Sequence, residues 1–269
     1  MPELPEVELT RRAILPLVGQ KLLRIHHQDP LRYPGIERAT GQSLLAINRR
    51  GKFLLLDLES VTLVVHLGMS GRLSFEESAH TRAILEFGGS RIYFNDPRRF
   101  GRLQVVDDLS EIPLLNRMGP EPLSPNFEPL AFAGKLAASK APVKSVLLGQ
   151  EAVAGLGNIY TDESLFAAGI HPARPSRDLS APEIVALHLA IPLVLQRAIA
   201  SGGSTLSDRS FKDPHGLVGG FQLLRSVYAR AGEPCPSCGS PIQKIRIANR
   251  TTCFCPNCQP MPVSSLVIR

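Results

Sequence analysis

The sequence predicts an α+β protein of several domains. Short runs rich in branched residues crowd the first 117 positions, helical patterns take over from about residue 130, and all five cysteines lie beyond residue 234.

From Pro5 to Val18 the pattern is that of an amphipathic helix. Pro5 suits a first helical turn, and Glu6 and Glu8 suit the positive end of the helix dipole. Strand-like runs follow: LLRIHH, SLLAINRRGKFLLLDL, VTLVVHLGM, AILEFGG and RIYFNDP, each punctuated by Gly, Asn, Asp or Pro at sandwich-like spacing. MGPEPLSPNFEP (Met118 to Pro129) reads as a linker. LAFAGKLAAS, VKSVLLGQEA, ESLFAAG and APEIVALHLAIPLVLQRAIASGG then read as helices, with Gly169 and Gly202 where C-terminal caps would fall.

Thirty basic and 24 acidic side chains give a net charge of +6 and a pI near 9.3, which favours a polyanionic partner. The cations cluster at Arg49, Arg50 and Lys52 and again at Arg98, Arg99 and Arg102. No apolar run approaches bilayer length. Charges at Glu3, Glu6, Glu8, Arg11 and Arg12 interrupt any signal-peptide core, so the sequence predicts a cytoplasmic protein with no membrane partner.

Cys235-Pro-Ser-Cys238 and Cys255-Pro-Asn-Cys258 are two C-x2-C pairs separated by sixteen residues. Each pair places two thiolates on one tight turn, and two such turns complete a tetrahedron around zinc. Two disulfides are the alternative, which an intracellular chain disfavours. Cys253 is the spare and belongs in a strand. IQKIRI and TTCF predict a hairpin whose tip is Ala248 to Thr251. Arg250 there is either a solvated turn residue or a guanidinium aimed at phosphate.

Gly155-Leu-Gly157-Asn158 precedes a helix and reads as a tight turn or as a phosphate-approaching one. Tyr160 occupies the last glycine position of the dinucleotide-binding pattern, which therefore fails. Met69 sits in a glycine-flanked turn, and Phe100 sits beside arginines in a turn between strands. Such residues are core side chains or, if exposed, wedges of the kind that fill a gap in stacked bases.

PELPEVE, GKFLLL, HLGMSG, NDPRRFG, GPEPL, GLGNIYTDESLFAAGIHP, GGSTLSD and the terminal cysteine pairs together resemble, along essentially the whole chain, bacterial formamidopyrimidine-DNA glycosylases. Leu4 separates the opening from the PEGPE of the related endonuclease VIII. The resemblance implies a β-sandwich domain at 1–117, a linker at 118–129, a helix–two-turns–helix domain with a lesion-capping loop at 130–220, a zinc finger with a β-hairpin at 221–262 and a tail at 263–269. DNA would lie between the domains.

It also implies roles. Removal of Met1 would free the secondary amine of Pro2 to attack C1′ of a damaged nucleoside, with Glu3 shuttling a proton. Lys52 matches the lysine that contacts phosphate and assists β-elimination, and Arg250 the arginine linked to phosphate binding and δ-elimination. Asn158 matches a phosphate-gripping asparagine. Met69, Arg98 and Phe100 match the trio that fills the vacated stack, with Arg98 facing the orphaned cytosine. Lys144, His80 and Lys140 correspond to DNA-backbone contacts, and Glu6 to the lesion pocket. The implied partner is double-stranded DNA carrying an oxidised base or an abasic site, bound by a monomer. The implied cofactor is one structural zinc ion, since four thiolates leave no open coordination position. A non-enzymatic DNA reader and an enzyme for oxidised pyrimidines are the rival readings. Departures from the family pattern are Ala229 in VYAR and Cys253 at a more usual aromatic position.

Overall fold

The computed structural model describes residues 2–27, 29–205 and 211–262. They form two units: Met1–Arg117 with Ala198–Leu223, and Met118–Arg197 with Leu224–Arg269.

The first unit opens with helix α1 (Leu4–Ile14) and continues through eight strands: β1 (Leu22–His27), β2 (Leu44–Arg50), β3 (Phe53–Leu58), β4 (Thr62–His66), β5 (Arg72–Ser74), β6 (Thr81–Phe87), β7 (Arg91–Asn95) and β8 (Arg102–Val106). The short helix α2 (Pro113–Arg117) follows. The strands make two antiparallel four-stranded sheets, ordered β1-β6-β7-β5 and β2-β3-β4-β8. Leu22, Leu73, Leu85 and Phe94 from one sheet and Ile47, Leu54, Leu63 and Leu103 from the other share a single apolar core with Val7 and Ile14 of α1. That shared core makes the unit a β-sandwich with α1 against it. The predicted helix over Pro5 to Val18 stops at Ile14, and a 3-10 turn at Leu15–Leu17 takes up the remainder around Pro16.

β2 and β3 are joined by the two residues Gly51 and Lys52, since Arg50 pairs with Phe53. Gly51 lies in the left-handed region (φ 55°), as primed hairpin turns require.

The second unit holds α3 (Pro129–Ala137), α4 (Val143–Leu148), α5 (Asn158–Ala167) and most of α6 (Ala181–Ala200), then the hairpin of β9 (Gln243–Ile247) and β10 (Arg250–Phe254). Gly169 and Gly202 follow α5 and α6 with positive φ (69° and 75°), as the helix ends predict. Ala248 and Asn249 are the two left-handed residues of the β9–β10 turn, so Arg250 is the first residue of β10 rather than part of a loop.

Three expectations are corrected. Residues 118–129 are not a free linker: Met118 and Phe127 are buried, the Gly119 amide donates to the Gln150 carbonyl at 2.7 Å, and the Ala154 amide to that of Pro120 at 2.9 Å. Residues 198–205 and 211–223 fold with the sandwich rather than with the helical unit. And α6, with a mean hydropathy of 1.6, is long and apolar enough to cross a membrane by length and composition alone. Its Leu187, Ile191 and Leu195 are fully buried, while Val185, Leu189 and Leu193 are exposed.

Candidate functional site

The first turn of α1 follows from its sequence. Glu3 is the N-cap, and Glu3 and Glu6 form a capping box in which the Glu6 carboxylate accepts the Glu3 amide at 2.9 Å. The other Glu6 oxygen accepts the Ser204 amide at 2.8 Å. Gly203 beside it has φ 77°, and a Cβ there would stand 3.0 Å from that oxygen. Pro2, Glu3 and Glu6 are all buried. Glu6, expected in a lesion pocket, is thus occupied in joining the chain's start to residues 203–204.

Lys52 is the second residue of the β2–β3 turn and half-buried. Burial, together with the charges of Lys52 and Arg102, pulls the His66 imidazole down to about 4, so His66 is neutral at physiological pH.

Met69, Arg98 and Phe100 come together on two turns that one buried carboxylate locks. Asp96, fully buried, accepts the Ser70 hydroxyl at 2.6 Å, the Gly101 amide at 2.7 Å and the Arg98 amide at 3.3 Å. Gly68 lies against this second turn, where a Cβ would be 2.5 Å from the Phe100 carbonyl carbon. The Arg98 guanidinium sits 5.0 Å from the centroid of the Phe100 ring, and that ring is 51% exposed. An apolar ring this large, exposed and backed by a cation, is placed to stack on a base. The exposed His80 is attached to the same turn through its carbonyl, which accepts the Asp96 amide at 2.9 Å. Asp96 and Ser70 carry no chemistry of their own, so sequence reasoning does not single them out, although both lie inside recognisable motifs.

In the second unit, the Gln150 side chain shapes the glycine turn: it accepts the Gly155 amide at 2.8 Å and donates to the Leu156 carbonyl at 2.6 Å. Asn158 opens α5, and its side-chain amide donates to the Thr251 carbonyl at 3.0 Å, next to Arg250. Arg250 is exposed. Lys140 is exposed in the α3–α4 connection. Lys144 differs from its expected place on DNA. It is fully buried, with Nζ 2.6 Å from Asp162 and 3.3 Å from the Thr251 carbonyl. A buried ammonium without a carboxylate partner is too costly to keep, and α5 supplies that partner. Asp162 accepts the Cys253 amide at 3.0 Å with its other oxygen. Lys144, Asn158 and Asp162 therefore all grip β10.

The sulfurs of Cys235, Cys238, Cys255 and Cys258 lie within 4.8 Å of one another. Cys235 and Cys258 are 3.8 Å apart, and Cys238 and Cys255 3.5 Å. Zn–S bonds of about 2.3 Å in a tetrahedron put sulfurs ~3.8 Å apart, so the four residues fit a closed zinc site. Cys253 packs in β10 among Val227, Ile242 and Cys255, as expected of a structural thiol.

Three family models match in chain order: a formamidopyrimidine-DNA glycosylase N-terminal domain over residues 1–103, the H2TH domain of the same glycosylases over 118–210, and a zinc finger found in FPG and IleRS over 232–260. Sandwich, helical unit and finger in this order define a zinc-finger DNA glycosylase of the helix–two-turns–helix class. A formamidopyrimidine-DNA glycosylase of Thermus thermophilus is 52% identical over 263 residues, covering 96% of this chain and 98% of that protein. One from Deinococcus radiodurans is 47% identical over 277 residues, with 97% and 98% covered. The chain belongs to the formamidopyrimidine-DNA glycosylase family. The crystal structure of the Thermus thermophilus MutM (Fpg) protein superposes with a TM-score of 0.93 at 51% identity, covering 97% of this chain and all of that one. A complex of Lactococcus lactis Fpg with DNA containing an abasic site gives 0.88 at 36% identity, covering 96% of this chain and all of that one.

Proposed function

We propose that this protein excises oxidised purines from duplex DNA and cleaves the resulting abasic site, with Pro2 as the nucleophile. The observation that carries the reading is the burial of Pro2 and Glu3 at the positive end of α1. Freed of Met1, which lies outside the described residues, Pro2 would present a secondary amine. A helix N-terminus disfavours a nearby ammonium, which helps keep the amine neutral and nucleophilic.

The amine attacks C1′, and the base leaves with the glycosidic electron pair and takes up the proton that the amine nitrogen loses on forming its bond to C1′. The sugar ring opens as the C1′–O4′ bond breaks, O4′ taking a proton from Glu3, and the product is an iminium on Pro2. That cation acidifies C2′. Lys52 removes the C2′ proton, the electrons form a double bond to C3′, and the 3′ phosphate departs. A second elimination, assisted by Arg250, releases the 5′ phosphate. Met69, Arg98 and Phe100 occupy the gap left by the displaced nucleotide. Asn158 and Arg250 grip the backbone from α5 and β10, and His80 and Lys140 are further backbone contacts. The capping loop from Ser207 to Gly220 would close over the base. Residues 206–210 lie outside those described, and Thr205 stitches the described part by donating to the Phe211 carbonyl at 2.9 Å and accepting the Gly219 amide at 2.8 Å. Zinc, when bound, supplies rigidity to the hairpin that carries Arg250.

Relatives solved with damaged or abasic DNA support the partner. The working unit is taken as a monomer in the bacterial cytoplasm. The test is borohydride trapping of protein whose first residue is verified as Pro2, on 8-oxoguanine opposite cytosine and on thymine glycol. The expected result is a covalent adduct and strand incision on the first duplex, at least tenfold less on the second, and neither from Pro2→Gly. Incision without an adduct would overturn the reading.

A further inference from the structure

One carboxylate in the sandwich has more cationic partners than its own helix requires. Glu8, on α1, takes a fork from Arg11 (3.0 and 2.9 Å) and a bond from Arg12 at 2.8 Å, its neighbours one turn on. A third guanidinium comes from 41 residues away: Arg49 Nε donates to Glu8 at 3.2 Å, and both side chains are only 10% exposed. Arg49 spends another arm, Nη1, on the carbonyl of Gly51 at 3.0 Å. That carbonyl belongs to the peptide group linking Gly51 to Lys52. Holding it fixes the plane from which the Lys52 backbone starts. Arg11 adds a second tie from α1 to β2, donating to the Ile47 carbonyl at 3.3 Å.

The chain of contacts runs from the Gly51–Lys52 peptide, through Arg49, to Glu8. Glu8 lies on the same rigid helix that begins with the Glu3 cap, five residues or roughly 7.5 Å along its axis. Arginine suits the middle position, because its planar fork can meet a carboxylate and a carbonyl at once, which a lysine ammonium does not reproduce in one geometry.

We propose that Glu8 and Arg49 are positioning residues which set the placement of Lys52 relative to Pro2, and so govern elimination rather than nucleophilic attack. This rests on the assignment of Pro2 and Lys52 above. Neither Glu8 nor Arg49 touches the reacting atoms. Their loss leaves the Pro2 amine in place and lets the β2–β3 turn wander.

The test separates the two steps on duplex DNA with a preformed abasic site. Adduct formation is read by borohydride trapping under single turnover, and elimination by the rate of strand cleavage from trapping-competent protein. Glu8→Gln keeps the side chain's size but offers one acceptor oxygen where three guanidiniums converge. We expect its adduct formation within twofold of wild type and its elimination slowed about tenfold. Arg49→Lys, which keeps the charge but not the fork, should show the same split. Because both changes break one relay, the double variant should be no slower than either single one; independent sites would multiply their effects. Equal slowing of both steps, a multiplicative double variant, or wild-type elimination in either single variant would overturn the relay while leaving the Pro2 assignment intact. Absence of any adduct from the wild-type protein would overturn that assignment and the relay with it.

Discussion

Two carboxylates, one in each unit, are bound by cations and respond in opposite directions. Burial alone opposes ionisation of Glu8. Hydrogen bonds from Arg11 and Arg12, with the charges of Arg11 and Arg49, overcome it and hold the carboxyl down to about 2. Asp162 is buried with no exposed surface, and its charged donor is Lys144. There burial wins over the charge and hydrogen bond of Lys144 and the amide of Cys253, the neighbouring Glu163 adds to it, and the group rises to about 7. An ion pair's chemistry is thus set by how many donors meet the charge and how much water remains. Three guanidiniums at the edge of solvent make a carboxylate that stays ionised in any biological buffer. One ammonium in the interior makes a pair that shares a proton readily.

The largest effect is expected from Lys144→Met. It leaves Asp162 buried without its cation, a situation that costs about 3–5 kcal/mol. Asp162 can escape by keeping its proton, so the cost depends on pH. With its folded pKa above the unfolded value of ~3.9, the folded state holds a proton that the unfolded state has lost, and stability falls as pH rises through that window. Denaturant titrations of the variant should give a midpoint that climbs as pH drops from 8 to 5, against a flatter wild-type profile. The same variant should lose grip on β10, read as weaker binding to abasic-site DNA by the strand that carries Arg250.

A third carboxylate narrows the contrast to burial without a charged donor. Asp96 is as buried as Asp162, but its bonds come from a hydroxyl and two backbone amides. Asp96→Asn replaces one acceptor oxygen with a donor and strands one of those partners, at about 1–3 kcal/mol. The effect on function should exceed the effect on stability, because the partners belong to the turns carrying Met69, Arg98 and Phe100. Fluorescence of a base analogue at the lesion should show slower extrusion, with trapping on a preformed abasic site changed less.

These carboxylates also mark how far the sequence can be read. The zinc thiols and the β9–β10 hairpin are legible because their geometry is local: C-x2-C turns and alternating residues fix it within a few positions. The paired strands β2 and β3 are legible through Gly51 between two apolar runs. β5 and β8 are not, since three to five residues beside glycine turns carry too little pattern to separate from loop. The pairing of Glu8 with Arg11 and Arg12 follows helix spacing. Its pairing with Arg49 does not, nor does that of Lys144 with Asp162, 18 residues away on another helix. The family resemblance points Lys144 at the DNA backbone, and no local pattern around it signals a buried partner. Its burial is a tertiary fact, created when α4, α5 and β10 close around it. The Met69, Arg98 and Phe100 turns carry motifs, but Asp96, which holds them, is invisible until the two turns are seen side by side.

The smallest expected change in stability belongs to Glu8, and its sign is opposite to that of the buried pair. A folded-state pKa near 2, below the ordinary glutamate value of ~4.3, means that the folded state has released a proton the unfolded state still binds. The stabilisation is fully present above the unfolded pKa and is lost as pH falls through the window down to about 2. Glu8→Gln removes it. Because the cluster borders solvent and Arg12 is largely exposed, salt and water screen the gain, and the loss at neutral pH should be about 1 kcal/mol. Denaturant midpoints of wild type and Glu8→Gln should therefore differ at pH 7 and converge as the pH falls to about 2 and below, where Glu8 takes up its proton in the folded state as well. Raising the salt concentration at pH 7 should shrink the difference as well, whereas it should leave the Lys144→Met deficit nearly unchanged. Midpoints that stay apart at the acid end would mean that Glu8 stabilises the sandwich by packing and not by its charge.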